Sequence, residues 1–277
     1  MKPPSAPFLE RTFQLVPRVG PWRERDLYAQ NIETWAQFEA QAAIRTVMSE
    51  AIDADLLNKI VELRAAVAEG SLARVAESVR AAEHWRAYSA FGDQTLFLDI
   101  EADGDSEPTV VGIFDRHGVA SFRRDTNLAE LPQRMADSRI WVTFNGGSYD
   151  LPILRQTFEN LPQPLMHLDL KVLARRTGLT GGLKSIEEKL GLTRPPHLKG
   201  LKGLDAIRMW KMWTHQRDVK ALRILTEYNL YDAINLRSIL EWCQWRIAEM
   251  YQWRVERQPI FERGDVLYDV SQLLLKL

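Results

Sequence analysis

The chain has 277 residues, is 45% hydrophobic and 26% charged, and carries a formal net charge of −1. These fractions exclude wholesale disorder, and no run approaches the roughly 20 apolar residues that span a bilayer. The single cysteine, Cys243, excludes an intrachain disulfide and a cysteine-rich zinc site, and five scattered histidines argue further against zinc.

The length suits one large core or two modest domains. Residues 1–7 are Pro-rich and read as a simple arm; they lack the apolar segment of a signal peptide, so the cytoplasm is the expected compartment. Residues 1–90 form the first expected domain, helical from residue 8 onward. A helix opens after Pro21 and another at Trp35, with Thr34 as its cap, followed by helices over 40–69 and 71–88. The turn around Arg18 and Gly20 looks like that of a helix-hairpin-helix unit, whose backbone N–H groups can face a phosphate. Arg18 stands where the hairpin usually has its first glycine, and a plain helical turn accounts for the same residues.

The period changes at residue 95, within a second domain expected over 91–250. Residues 96–101 are an apolar run ending in Asp99-Ile100-Glu101, which reads as a buried strand. Strand side chains alternate, so both carboxylates emerge on one face, roughly 6.5 Å apart. Like charges that close repel unless one is protonated or a cation lies between them. Residues 109–114 and 119–123 flank Asp115-Arg116-His117-Gly118, a hairpin signal. A helix over 127–136 and a strand over 139–144 follow, giving an α/β layer with a mixed sheet.

That fourth strand runs into Asn145-Gly146-Gly147-Ser148-Tyr149-Asp150, where paired glycines allow backbone to approach a ligand. Asp150 falls in the first turn of a helix over 149–160, where its charge also complements the helix N-terminus. Residues 165–170 read as a fifth strand containing Asp169, taken as a cap or supporting group. Helices follow over 171–177, 183–190 and 205–214, with Trp210 and Trp213 read as core rather than as stacking residues. One or two long helices over 222–251 carry Tyr228 and Asp232, four apart and therefore on one face. The tail, 251–277, contains a polar linker and a short apolar helix over 270–275.

Charge is distributed unevenly. Residues 171–225 hold thirteen Lys and Arg, including Lys184, Lys199 and Lys202, against four acids. A basic surface beside an acidic centre suits a polyanion held near cations, although solvated helix faces produce the same counts.

Asp-x-Glu on a strand, Asn-x-x-x-Tyr-Asp at a strand-to-helix turn, and Tyr-x-x-x-Asp on a late helix resemble, in that order, the three motifs of the DEDD 3′-to-5′ exonuclease superfamily, tyrosine subtype. The second motif is also similar to that of proofreading domains in family B DNA polymerases. The wider layout resembles the bacterial YprB-type ribonuclease H-like proteins: the N-terminal hairpin, Trp85-Arg86-Ala87-Tyr88, His167-Leu168-Asp169-Leu170, and Leu183-Lys184-Ser185-Ile186-Glu187. Ala102 departs from that pattern, standing where a threonine commonly follows the glutamate.

The resemblance implies a ribonuclease H-like mixed five-stranded sheet flanked by helices, preceded by an all-helical domain. It implies Asp99, Glu101, Asp150 and Asp232 as ligands of two Mg²⁺ or Mn²⁺ ions, with Asp99 shared, and Tyr228 as the residue that orients the attacking water. The substrate is then single-stranded DNA or RNA with a free 3′ end, no membrane being involved. Asn145, Gly146, Gly147, Lys184, Lys199, Lys202, Arg18 and Gly20 are the expected nucleic-acid contacts. Two other functions remain open on the same residues: a binding or adaptor protein without turnover, and a structure-specific endonuclease.

Overall fold

The computed structural model describes residues 8–42, 46–104, 107–253 and 270–275. The arm 1–7 and residues 254–269 of the tail lie outside the described residues. The described residues divide into two compact units, one within 8–92 and 244–253, the other within 93–243 and 270–275.

The first unit is helical. A 3₁₀ turn (Phe8–Arg11) precedes α1 (Pro21–Ala29), α2 (Trp35–Ala42), α3 (Glu50–Ala68) and α4 (Leu72–Ser78); a second 3₁₀ segment (Ala81–Ala87) leads into α5 (Tyr88–Phe91). Phe13, Trp35, Phe38, Leu56, Ile60 and Leu63 form its apolar interior. Among them lies a buried charge cluster: Arg86 pairs with Glu83 at 2.7 Å and Glu24 at 3.1 Å, and Glu24 also accepts from the Phe13 N–H. The opposite charges and extra hydrogen bonds offset the desolvation that an isolated buried charge would suffer.

Two expected helices are interrupted. The helix expected over 40–69 begins only at Glu50, because Thr46 turns its hydroxyl onto Asp53 at 2.6 Å and accepts from the Met48 N–H, and Ser49 then takes an extended backbone as N-cap. The helix expected over 71–88 stops at Ser78. Val79 is extended, and the 3₁₀ segment turns Trp85 and Arg86 inward. The turn carrying Arg18 and Gly20 lies between the first 3₁₀ turn and α1, with Arg18 at φ +74°.

The second unit is built on β1 (Thr95–Ala102), β2 (Pro108–Asp115), β3 (Gly118–Arg123), β4 (Ile140–Thr143) and β5 (Met166–Asp169). Their order is β3-β2-β1-β4-β5, with β1, β2 and β3 antiparallel and β1, β4 and β5 parallel. This is the mixed five-stranded sheet expected from the sequence. Its helices are α6 (Leu131–Met135), α7 (Asp150–Thr157), α8 (Leu170–Arg176), α9 (Leu183–Leu190), α10 (Gly203–Gln216), α11 (Val219–Met250) and α12 (Ser271–Leu274), with residues 244–250 of α11 belonging to the helical unit. No helix among the described residues is long and apolar enough to cross a membrane.

Alternation along β1 separates the chemistry from the core. Leu96, Leu98, Ile100 and Ala102 pack with Val111, Ile113, Trp141, Leu151 and Leu154 in one apolar cluster. Asp99 and Glu101 therefore face the other way, toward the side where α10 and α11 cover β2 through Val110, Trp210 and Leu225. Trp210 is core, as the sequence indicates.

Candidate active site

Asp99 and Glu101, at the end of the central strand, meet Asp232 from α11: one carboxylate oxygen from each lies within 4.8 Å of the others. Asp150 opens α7 at the end of β4 and is buried. Because β1 pairs with β4 only over residues 95–97, the strand beyond is available to Asp150, whose carboxylate accepts from the Ile100 N–H.

Burial is the main cause of perturbed ionisation here, with mutual repulsion adding to it. Asp99 is raised well above the usual carboxylate range by burial and by the charges of Asp232, Asp150 and Glu101. Glu101 is pushed up to about 8 by burial and then by Asp232, against the opposing pull of Lys184. Asp150 rises to about 7 through burial, although its own N–H and that of Ile100 hold it down. Burial likewise raises the Tyr228 phenol, with Asp232, Glu101 and Asp99 adding to the effect, so at neutral pH it remains a hydrogen-bond donor.

Two cations lean on Asp232. Lys184, from α9, pairs with its Oδ1 and lies 4.2 Å from the centroid of the Tyr228 ring. Arg194 also pairs with Oδ1 while being gripped by Glu187, its Nε 2.8 Å from Oε2. Asn235 donates to the other Glu187 oxygen at 3.0 Å. Arg194 and Glu187 are both buried, so this guanidinium is held behind Asp232, whereas Lys184 is one-third exposed.

The remaining sequence candidates divide between the two units. Asn145 adopts φ +64° and its N–H donates to Asp169 at 2.9 Å; the same carboxylate caps α8 through the Lys171 N–H. Asp169 is thus a cap, as expected. Gly146 packs so tightly on Thr143 that a Cβ would lie 2.3 Å from its hydroxyl oxygen, while Gly147 faces His167. Lys199 and Lys202 line a groove of about 470 Å³ with Lys184 and Arg194. Arg18 and Gly20 lie at the entrance to α1 in the helical unit.

Sequence reasoning missed Arg194, Glu187 as a buried anchor, Asn235, Asn229 and Gly112. Asn229 holds Asp99, and Gly112 on β2 leaves the space that Asn229 fills. One signal was present. Thr226, Asn229, Asp232, Asn235 and Ser238 recur every three residues along α11, and all five are buried. A buried polar stripe requires partners.

Oxygen-rich, mutually repelling carboxylates are the donor set that Mg²⁺ or Mn²⁺ takes, so the residues present fit such an ion. Residues 96–244 match the model of the RNase H superfamily. No curated protein and no solved structure matches the chain.

Proposed function

The chain belongs to the RNase H superfamily, which implies a nuclease acting on nucleic acid, and from that premise we propose a divalent-metal-dependent 3′-to-5′ exonuclease of the DEDD tyrosine type. The observation that carries this reading is the convergence of Asp99, Glu101 and Asp232, with Tyr228 one helical turn before Asp232 and Asp150 close enough to raise Asp99 and Glu101. Asp99, Glu101, Asp150 and Asp232 would hold two Mg²⁺ or Mn²⁺ ions, which supply charge to acidify water and to neutralise phosphoryl oxygens.

The chain's own groups do the positioning. Tyr228 keeps its proton and orients the attacking water by donation or acceptance at its hydroxyl, not by deprotonating it. Asn229 holds Asp99 in one rotamer. Lys184 is exposed enough to leave Asp232 for a substrate phosphate, and Lys199 and Lys202 extend that positive lining along the groove. The Asn145, Gly146, Gly147 turn offers backbone to the strand, and Arg18 and Gly20 contribute a phosphate contact on the helical unit.

The test is incubation of 5′-labelled single-stranded DNA and RNA with Mg²⁺, Mn²⁺ or EDTA, beside Asp99→Ala. A metal-dependent ladder shortening from the 3′ end, absent in the variant, is the expected result and reveals the preferred sugar. Cutting of a circular substrate would convert the proposal to an endonuclease. Pairing of both Lys184 and Arg194 with Asp232 favours the second reading, a binding or adaptor protein. Salt-sensitive binding without cleavage under any metal would establish that reading instead.

A further inference from the structure

The helical unit carries an exposed aromatic and cationic surface of its own. Trp22, on the first turn of α1, is 76% exposed, although tryptophan is among the side chains that gain most from burial. The Arg25 guanidinium lies 4.2 Å from its ring centroid, which fixes the indole from one side. Arg18 and Arg23 are exposed beside it, and Arg23 donates to the Arg18 carbonyl at 2.7 Å. Arg80 joins from the segment after α4, its Nη1 3.9 Å from where a Cβ on Gly20 would stand.

Two details bear on this positive charge. Glu24, the acid of the first turn, points inward, where it is consumed by Arg86, Gln14 and the Phe13 N–H. Over residues 18–26 that leaves Asp26 as the one exposed acid against Arg18, Arg23 and Arg25. Arg18 moreover holds φ +74°, a conformation glycine takes with less strain, so an arginine here costs stability while supplying a cation.

We propose that Trp22, stacked on Arg25, together with Arg23 next to it in the chain and with Arg18 and Arg80 at the Gly20 turn that enters α1, is a docking platform for single-stranded nucleic acid, with a base on the indole and phosphates on the arginines. A flat aromatic face combined with fixed guanidinium groups is the chemistry that binds single strands without sequence preference. Guanidinium forks also match phosphate oxygens in a way an acidic protein surface does not require. The platform rests on the nuclease reading only for the class of polymer; its geometry is independent of the acidic centre.

Fluorescence anisotropy of a labelled 20-nucleotide oligothymidine in EDTA tests it on the full chain. Trp22→Ala should weaken binding roughly tenfold and Trp22→Phe much less, as loss of one stacked base predicts. Arg23→Gln with Arg25→Gln should lower the slope of log affinity against log salt by about 1.4 for two lost phosphate contacts. Arg18→Gly should weaken binding while raising the melting temperature, a combination that a structural role does not produce. Binding by Trp22→Ala within twofold of wild type overturns the platform, as does unchanged binding accompanied by loss of self-association in sedimentation, which would identify a second copy as the occupant. Hydrolysis of thymidine 5′-(p-nitrophenyl phosphate), a mononucleotide that offers no strand to the platform, should be unchanged in Trp22→Ala. Failure of wild type to cleave that reporter with Mn²⁺ counts against the nuclease reading, and the anisotropy still decides the platform.

Discussion

Asn229 donates its side-chain amide to both the backbone carbonyl and the carboxylate of Asp99, at 3.1 and 2.9 Å, across 130 residues of sequence. One helix side chain thereby fixes both the end of the central strand and the rotamer of its first carboxylate. Asn229→Ala should reduce metal affinity or kcat by about 10–100-fold, the usual effect of removing a group that orients a metal ligand. Metal titration of hydrolysis measures it, and an unchanged metal dependence would mean that Asp99 is held by other means.

Gly112 is the space Asn229 requires. A Cβ there would lie 2.6 Å from the Asn229 side-chain oxygen and 3.1 Å from its backbone carbonyl, so β2 and α11 would have to separate. Gly112→Ala should cost about 1–3 kcal/mol in urea unfolding and should also lower activity. Wild-type stability in this variant would show that the helix shifts freely.

Arg194 and Lys184 both pair with Asp232 but should behave differently on removal. Arg194→Met leaves buried Glu187 with only the Asn235 amide and buried Asp232 with only Lys184, and should cost about 3–5 kcal/mol. Lys184→Met removes a cation that is one-third exposed and should cost less than about 1 kcal/mol while impairing substrate binding. Equal losses in denaturant titrations would contradict the distinction between a buried and a partly exposed cation.

The raised carboxylates set a pH dependence for the metal-free protein. Glu101 at about 8 and Asp150 at about 7, together with the raised Asp99, stay protonated in the fold at pH values where an unfolded carboxyl, titrating near 4, has ionised. Between about pH 4 and 8 the folded state therefore binds more protons, and stability falls as pH rises through that window. In EDTA the melting temperature should be higher at pH 5 than at pH 8, and Mg²⁺ or Mn²⁺ should recover the difference at pH 8. Asp150→Asn should raise the pH 8 value in EDTA by roughly 3 °C or more, since about 1 kcal/mol corresponds to that shift in a unit of this size. A lower melting temperature would mean that the Asp150 charge supports the fold.

Arg18→Gly should stabilise the helical unit by about 1 kcal/mol, because Arg18 occupies the left-handed region at φ +74°. Differential scanning calorimetry measures it. A fall in melting temperature would indicate that the Arg18 side chain makes stabilising contacts.

Much of the acidic centre is legible in the chain because each part is local. Asp99 and Glu101 share a face through strand alternation, Tyr228 and Asp232 through helical spacing, and Asp150 sits at a helix start that a glycine pair announces. The mixed sheet is readable for the same reason, since its strands and hairpin are written in short runs. Helix interruptions at 46–49 and 79–80 are less so, because a single threonine or an inward arginine overrides a helical pattern that propensity favours.

By itself, then, the sequence determined which face each local element presents, and so which carboxylates on one element point the same way. The tertiary structure alone decided what holds them: Asn229 on Asp99, Gly112 beneath Asn229, and Arg194 tying Asp232 to Glu187. Local periodicity is imposed by backbone geometry within a few residues, whereas these pairs join segments up to 130 residues apart, and only the packing of α9 and α11 around the sheet brings their buried polar groups within hydrogen-bond reach.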